Sequence, residues 1–308
     1  MNSASRPVAF ARPAWLAGLI FAAAIGLSIP TDSGRAFDHL FAATITALQS
    51  SRTDASALPD YGVTLEAHPV AGVERNLSGL SWDEDRGHLW AVVNEPPQLL
   101  ALDTAGQLLA RHPLEGFGDV EGVAALGDGR LLLVEERRQS LVVVTAPHTP
   151  GETLARRGQQ ALTLALGDGD NAGFEGIAYD KAGDRLFVVK EHSPRKLYEI
   201  RGLRASLAGR LDVEVIDREH WIRDKFIARD FSSVEFDPRT GHLVLLSDAS
   251  RLALEIDADG RYVGYQALAA GFAGLARHIP QAEGLALDGR GNLYVISEPN
   301  LFYAFRPE

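Results

Sequence analysis

From residue 60 onward, apolar and polar positions alternate in short runs that come in pairs and reverse at Asp, Gly and Asn turns. The clearest pair is EGLALDGRGNLYVISEPN, Glu283 to Asn300. Leu285 and Leu287 alternate into one strand, Asp288, Gly289, Gly291 and Asn292 reverse the chain, and Leu293 to Ile296 return as a second strand. Four shifted copies precede it: SGLSWDEDRGHLWAVVN from Ser78, EGVAALGDGRLLLVEE from Glu121, EGIAYDKAGDRLFVVKE from Glu175 and SSVEFDPRTGHLVLLSD from Ser232. A further pair of strand-like runs follows each of these four, as in QLLALD with LLARHPL, or LALEID with YVGYQAL. Four strands per unit, repeating at intervals of 43 to 57 residues, predict β-propeller blades. The fifth unit ends after a third strand, Leu301 to Arg306, and the unpartnered run Tyr61 to Val70 is expected to supply the missing outer strand. The expected fold is all-β, a five-bladed β-propeller over 60–308 closed by an N-terminal strand. Arg201 to Arg229 form its longest excursion.

The pattern upstream differs. Ala14 to Ile29 carry no charge, Arg6 and Arg12 precede them, and Pro30 closes the run. That length exceeds the core of about 7 to 15 residues of a cleavable signal and approaches the roughly 17 needed to span a bilayer. Residues 1–30 are therefore expected to be a membrane-anchor helix with the arginines inside, or else a removed signal peptide. In residues 31–59, Phe37, Leu40, Phe41, Ile45 and Leu48 keep helical spacing before the chain loosens into QSSRTDASALPD, which predicts a juxtamembrane helix and a polar tether.

Charge narrows the partners. The net charge of −11 arises after residue 60, which argues against nucleic acid, and the absence of cysteine excludes thiol catalysis and thiolate metal sites. In a propeller, the starts of the first strands and the ends of the second strands share one face. The first positions form a column of Ser78, Glu121, Glu175, Ser232 and Glu283 around the channel mouth. The second form a column of Asn94, Glu136, Glu191, Asp248 and Glu298, with Glu95 and Glu135 beside it. Carboxylates roughly 6 Å apart repel by about 3 kcal/mol per pair at an effective dielectric of about 20, so such a ring needs compensation. Hard oxygen donors without cysteine or paired histidines suit Ca²⁺, and the candidate metal ligands are Glu121, Glu175, Glu283, Glu136, Glu191, Asp248 and Glu298. The alternative is that Glu-Gly only sets blade register and that Arg137, Lys190, Arg195 and Arg251 neutralise the acids.

Other features carry less. DGDNAGFEG, Asp168 to Gly176, lacks EF-hand ligands at Ala172 and Tyr179, but could lend an oxygen to the same face. His192 adjoins Glu191 and reads as a solvated histidine, while His88 and His242 fall in turns on the opposite face. No G-x-S-x-G surrounds Ser78 or Ser232, and Trp82-Asp83 does not repeat.

NLSGLSWDEDRGHLWAVVNEPPQL, PLEGFGDVEGVA, GFEGIAYD, VVKEHSPRKLYEI, GHLVLLSDASRLALEID and IPQAEGLALDGRGNLYVISEPNLFYAFR together closely resemble the SdiA-regulated family of bacterial envelope proteins, over residues 60 to 308. The resemblance implies an N-terminally anchored five-bladed propeller with a calcium site, distantly similar to NHL-repeat and lactonase-type propellers. Glu121, Glu175, Glu283 and Glu298 match that family's acidic positions, and Ser78 and Ser232 are where the ring is not acidic. The expected setting is the bacterial inner membrane with the propeller in the periplasm, or the periplasm alone after signal cleavage. Two functions remain open: a calcium-binding module whose acidic face docks a protein or small-molecule ligand, or a metal-dependent hydrolase of an ester, lactone or phosphoester. In the second, Glu191 or Glu136 would take the proton from water.

Overall fold

The structure is a computed structural model, and it describes residues 38–40, 42–44, 56, 58, 60–164, 173–190, 194–223 and 228–308. Strand β1 (Tyr61–Pro69) precedes blade 1, which contains β2 (Leu77–Asp83), β3 (His88–Val93), β4 (Gln98–Leu102) and β5 (Leu108–Glu115). Blade 2 comprises β6 (Val120–Gly127), β7 (Arg130–Glu135) and β8 (Ser140–Thr145). The short β9 (Leu154–Ala155) then pairs back onto β5, and β10 (Gln160–Thr163) completes the blade. Blade 3 is β11 (Phe174–Asp180), β12 (Arg185–Lys190), β13 (Lys196–Arg201) and β14 (Glu214–Asp217); blade 4 is β15 (Ser233–Asp237), β16 (His242–Ser247), β17 (Leu252–Ile256) and β18 (Tyr262–Ala267). Blade 5 holds β19 (Ala282–Leu287), β20 (Leu293–Ser297) and β21 (Leu301–Pro307). Its outer strand is β1, antiparallel to β21, so the ring closes as the unpaired N-terminal run predicts and leaves no edge on β21.

The innermost strands pack in a ring, β2 on β6, β6 on β11, β11 on β15, β15 on β19 and β19 on β2. The core is correspondingly five apolar layers between blades, exemplified by Phe187 stacked on Phe236 between blades 3 and 4. Alternation along each strand sends successive side chains to opposite faces of the blade, so both faces are buried against neighbours. The Arg201–Arg229 excursion contains α1 (Leu203–Leu207), the outer strand β14 and α2 (Glu219–Ile222), whose Trp221 and Ile222 join the layer between blades 3 and 4.

The Glu-Gly repeat has a packing cause. A Cβ on Gly122 would lie 2.8 Å from the Glu175 carbonyl oxygen, one on Gly176 would lie 2.5 Å from Ser233 Cα, and one on Gly284 2.8 Å from Leu80 N. Glycine at this position lets the inner strands approach across the channel. In blades 1, 2, 3 and 5 the pairing also shifts register there, a bulge that re-aims the residue before the glycine. Blade 4, with Ser232-Ser233 in place of Glu-Gly, pairs without that shift.

The apolar run 14–29 lies outside the described residues, and no helix among the described residues is long and apolar enough to cross a membrane. Residues 38–40 and 42–44 are helical, within the stretch read as a juxtamembrane helix. They pack on the propeller. Asp38 pairs with Arg229 at 2.9 Å and accepts from Ser250 Oγ at 3.2 Å, and Ala42 is buried between blades 3 and 4. Farther along, Ser56 Oγ donates to the buried Glu255 at 2.5 Å, beside the His242 ring nitrogen that meets the other Glu255 oxygen at 2.6 Å. Ser56 thus brings the stretch read as a polar tether onto blade 4; the rest of that stretch, apart from Leu58 and Asp60, lies outside the described residues. His242, read from its turn, is likewise buried and paired; His88 starts β3 and packs edge-on to Trp90 at 4.6 Å.

Candidate metal centre

On the face where the inner strands begin, a backbone device recurs. Asn76, Asp119 and Gln281 stand two residues ahead of Ser78, Glu121 and Glu283, and all three have positive φ. Their carbonyls accept from the amides of Asn94, Glu136 and Glu298 at 3.0, 2.8 and 3.0 Å. The two columns are thereby tied together at three blades. At blade 2 the left-handed residue is an aspartate, and its side chain joins the columns. Carboxylate oxygens of Asp119, Glu121 and Glu136 all lie within 4.8 Å of one another. Asp119 is absent from the sequence-derived ligand set.

The surroundings of this trio are mostly polar. Asn94 Nδ2 donates to Asp119 Oδ1 at 3.2 Å and makes a short contact to Glu121 Oε1, and the Gly173 amide donates to Glu136 Oε1 at 3.1 Å. At the end of the loop read as a possible oxygen donor, Gly173 lends its N–H to this face; Asp168 to Ala172 lie outside the described residues. Glu175 hydrogen-bonds Glu136, and Glu298 adds negative potential at Glu121. Burial, reinforced by Glu136, Asp119 and Glu298, pushes the Glu121 carboxyl up to about 7, against the pull of Ser78. Glu136 is raised as well, by burial first and by Asp119 next.

The other predicted positions divide. Asp248 Oδ1 accepts from the Ala282 amide at 3.1 Å, which fastens blade 4 to blade 5. Glu283 and Glu298 stand half-buried at the start of β19 and just beyond β20, outside the tight trio. Glu191 and His192 lie outside the described residues. Ser78 and Ser232, the positions where the ring is not acidic, donate their hydroxyls to the carbonyls of Glu121 at 2.9 Å and Ala282 at 2.6 Å in the next blade. Glu95 is exposed, and Glu135 is fully buried between Arg138 and Arg156 at 2.6 and 2.9 Å.

Neutralisation by basic side chains is partial. Arg137 Nε approaches Asp119 Oδ2 at 2.9 Å, but off its N–H direction, since that buried oxygen has no hydrogen-bond donor. Arg137 is itself 75% exposed. Arg195 caps the Ala228 carbonyl, stacks over Phe231 at 5.5 Å and faces the charge of Asp230. The donor set fits a hard divalent cation: three carboxylates, one of them Asp119 with a buried oxygen lacking a hydrogen bond, and the Asn94 amide, which presents its oxygen when flipped about its terminal bond. Deeper on the inner strand of blade 4, Glu235 is half-buried, and the surrounding protein pushes its carboxyl up to about 8 by desolvation; its Oε1 accepts from the Phe236 amide at 3.1 Å.

A closed five-bladed ring with acids gathered at one mouth places the chain among β-propellers that present a polar channel face. More particularly, the sequence matches the SdiA-regulated family over residues 53–306, and the chain belongs to that family. Among solved structures it is similar to regucalcin from Agrobacterium tumefaciens, described as a calcium-binding protein, at 13% identity over 82% of this chain and 96% of that one, with a TM-score of 0.50. It is similar also to a luciferin-regenerating enzyme, at 12% identity over 79% of this chain and 95% of that one, again with a TM-score of 0.50. At these identities the likeness concerns the propeller fold.

Proposed function

We propose that the protein binds Ca²⁺ through Asp119, Glu121 and Glu136 and uses the ion-bearing face to dock a ligand or protein outside the cytoplasm. The observation that carries this reading is the clustering of three carboxylates, Asp119, Glu121 and Glu136, within 4.8 Å of one another, with a buried Asp119 oxygen that accepts no hydrogen bond and has only the exposed Arg137 beside it. Asn94 and Glu175 stand at the rim, and Glu283, Asp248 and Glu298 complete the acidic face that would meet the ligand; Glu191, expected there from the sequence, lies outside the described residues. Regucalcin, a propeller named for calcium binding, is compatible with this reading. The uncharged run at 14–29 behind Arg6 and Arg12 supports an inner-membrane anchor with the propeller in the periplasm.

The hydrolase reading draws on the raised Glu136 carboxyl, held by the Gly173 amide at the edge of the trio. A bound cation would polarise a carbonyl or phosphoryl oxygen, and Glu136 would then accept a proton from water. The test of the main reading is thermal unfolding with calcium and with chelator. Calcium should raise the melting temperature and chelator should reverse the gain, while Glu121→Gln abolishes the response and keeps a cooperative transition. A melting curve indifferent to both additions removes the site, and the hydrolase with it.

A further inference from the structure

The opposite face of the ring shows a repeated plug with one omission. In blades 1, 3 and 4 the inner strand ends on an aspartate, Asp83, Asp180 and Asp237, and a nearby arginine of the same turn fills the gap to the next blade. Arg86 reaches the Pro147 and Ala146 carbonyls of blade 2 and lies over Trp90, with Nε 3.8 Å from Asp83. Arg185 pairs with Asp180 at 2.8 Å and stacks between Phe187 and Phe236. Arg239 grips Asp237 through two bonds of 2.8 and 2.9 Å and leaves no room for a side chain at Gly291 of blade 5. Blade 2 has no such aspartate, and Lys181 lies across its Gly127 turn instead.

Between blades 5 and 1 the plug is missing. Asp288 spends its oxygens on the amides of Arg290 and Asn292, on Asn292 Nδ2 and on Tyr294 Oη, at 2.7 to 3.0 Å. Arg290 and Arg306 pair with no carboxylate among the described residues. The gap is a cleft of about 390 Å³ lined by both arginines, Trp82, Tyr294, Glu84 and Asp288. Trp82 and Tyr294 lie nearly parallel, 17° apart with centroids 6.4 Å apart, and Trp82 Nε1 donates to Glu84 at 2.5 Å.

We propose that this cleft between blades 5 and 1 is a second ligand site, distinct from the acidic mouth, that takes a small ring-bearing carboxylate. The two always-charged guanidinium groups have no carboxylate partner among the described residues and match a ligand carboxylate in geometry and sign, while the lining carboxylates are already engaged, Glu84 by Trp82 Nε1 and Asp288 by its turn amides, Asn292 and Tyr294; an indole wall matches the flat side of a ring. The volume falls in the range of small-molecule sites. The ligand fills the gap that arginine fills elsewhere, with the charges reversed: the protein supplies the cations and the ligand the anion.

The test is NMR titration of the full chain with benzoate, glucuronate and the uncharged benzamide, following the Trp82 indole N–H. Saturable shifts with benzoate or glucuronate, and none with benzamide, are expected; which of the two binds tells an aromatic ring from a sugar ring. Replacing both arginines, Arg290→Gln with Arg306→Gln, should weaken binding by about tenfold or more, while Glu121→Gln and added calcium leave it unchanged. The melting transition of the double variant confirms that it is folded. No saturation by either carboxylate, equal binding of benzamide, or binding that survives the double change in a folded protein would overturn the proposal.

Discussion

Glu121 concentrates the energetics of the acidic mouth. Its carboxyl rises from an ordinary 4.5 to about 7, so the fold favours the protonated form. That contribution is fully present below pH 4.5 and is lost as pH rises through about 7; it amounts to roughly 3 kcal/mol. Glu235, raised to about 8, loses its share slightly later. Urea unfolding between pH 5 and 8.5 without calcium should therefore show stability falling with pH, and Glu121→Gln should flatten the earlier part of the decline. Calcium should flatten the same part in the native protein, because a bound cation favours the ionised carboxylate, and leave the Glu235 part in place. A stability that rises with pH over this window would contradict the assignment. At the neighbouring position, Gly122→Ala places a methyl 2.8 Å from the Glu175 carbonyl, and equilibrium unfolding should show a loss of about 1–3 kcal/mol or more.

At the scale of elements, closure by β1 is the arrangement most open to truncation. Tyr61 is 3% exposed and its hydroxyl donates to the Gly291 carbonyl at 2.7 Å, so β1 is fastened at its side chains as well as along β21. A chain beginning at Asp60 keeps β1 but loses the Asp38 contacts to Arg229 and Ser250, the buried Ala42 and Leu58, and the Ser56 and Leu58 bonds to Glu255, and should be less stable by about 3 kcal/mol or more while still unfolding cooperatively. A chain beginning at Ala71 exposes the edge of β21 and should aggregate or melt far earlier; equal melting of the two would mean that the ring closes without β1. The strand repeats and the closing strand were legible because hairpins write their period and turns locally. The acidic columns were legible for the same reason. Asp119 was not, because its place depends on a left-handed residue two positions ahead of the repeat. The five residues at that position are Asn76, Asp119, Gly173, Asp230 and Gln281, too varied to read as a column. Asp230, the other acid among them, is consumed by Ser247 Oγ and the Ala249 amide, a contact visible only after folding. The partners of Asp38 and Ser56 were hidden likewise, since Arg229, Ser250 and Glu255 lie some 190 or more residues farther along.

For the whole molecule, the two ends of the ring differ in charge and in closure. One mouth gathers carboxylates; the other is sealed by arginines and one lysine except at the cleft between blades 5 and 1. If residues 1–30 anchor the chain with the arginines inside, a reporter fused after Glu308 should read as exported, and carbonate washing should leave the protein with the membranes. A soluble, shortened product would contradict the anchor. The central claim is the calcium site, and calorimetric titration of calcium into the chelator-stripped protein tests it most directly. One saturating event is predicted, with a stabilisation of roughly 2.7 kcal/mol when calcium stands at about 100 times its dissociation constant. It should be lost in Asp119→Asn and in Glu136→Gln and retained in Glu283→Gln, which lies outside the trio. Absence of heat in the native protein, or equal binding by the Asp119 and Glu136 variants, would contradict the account.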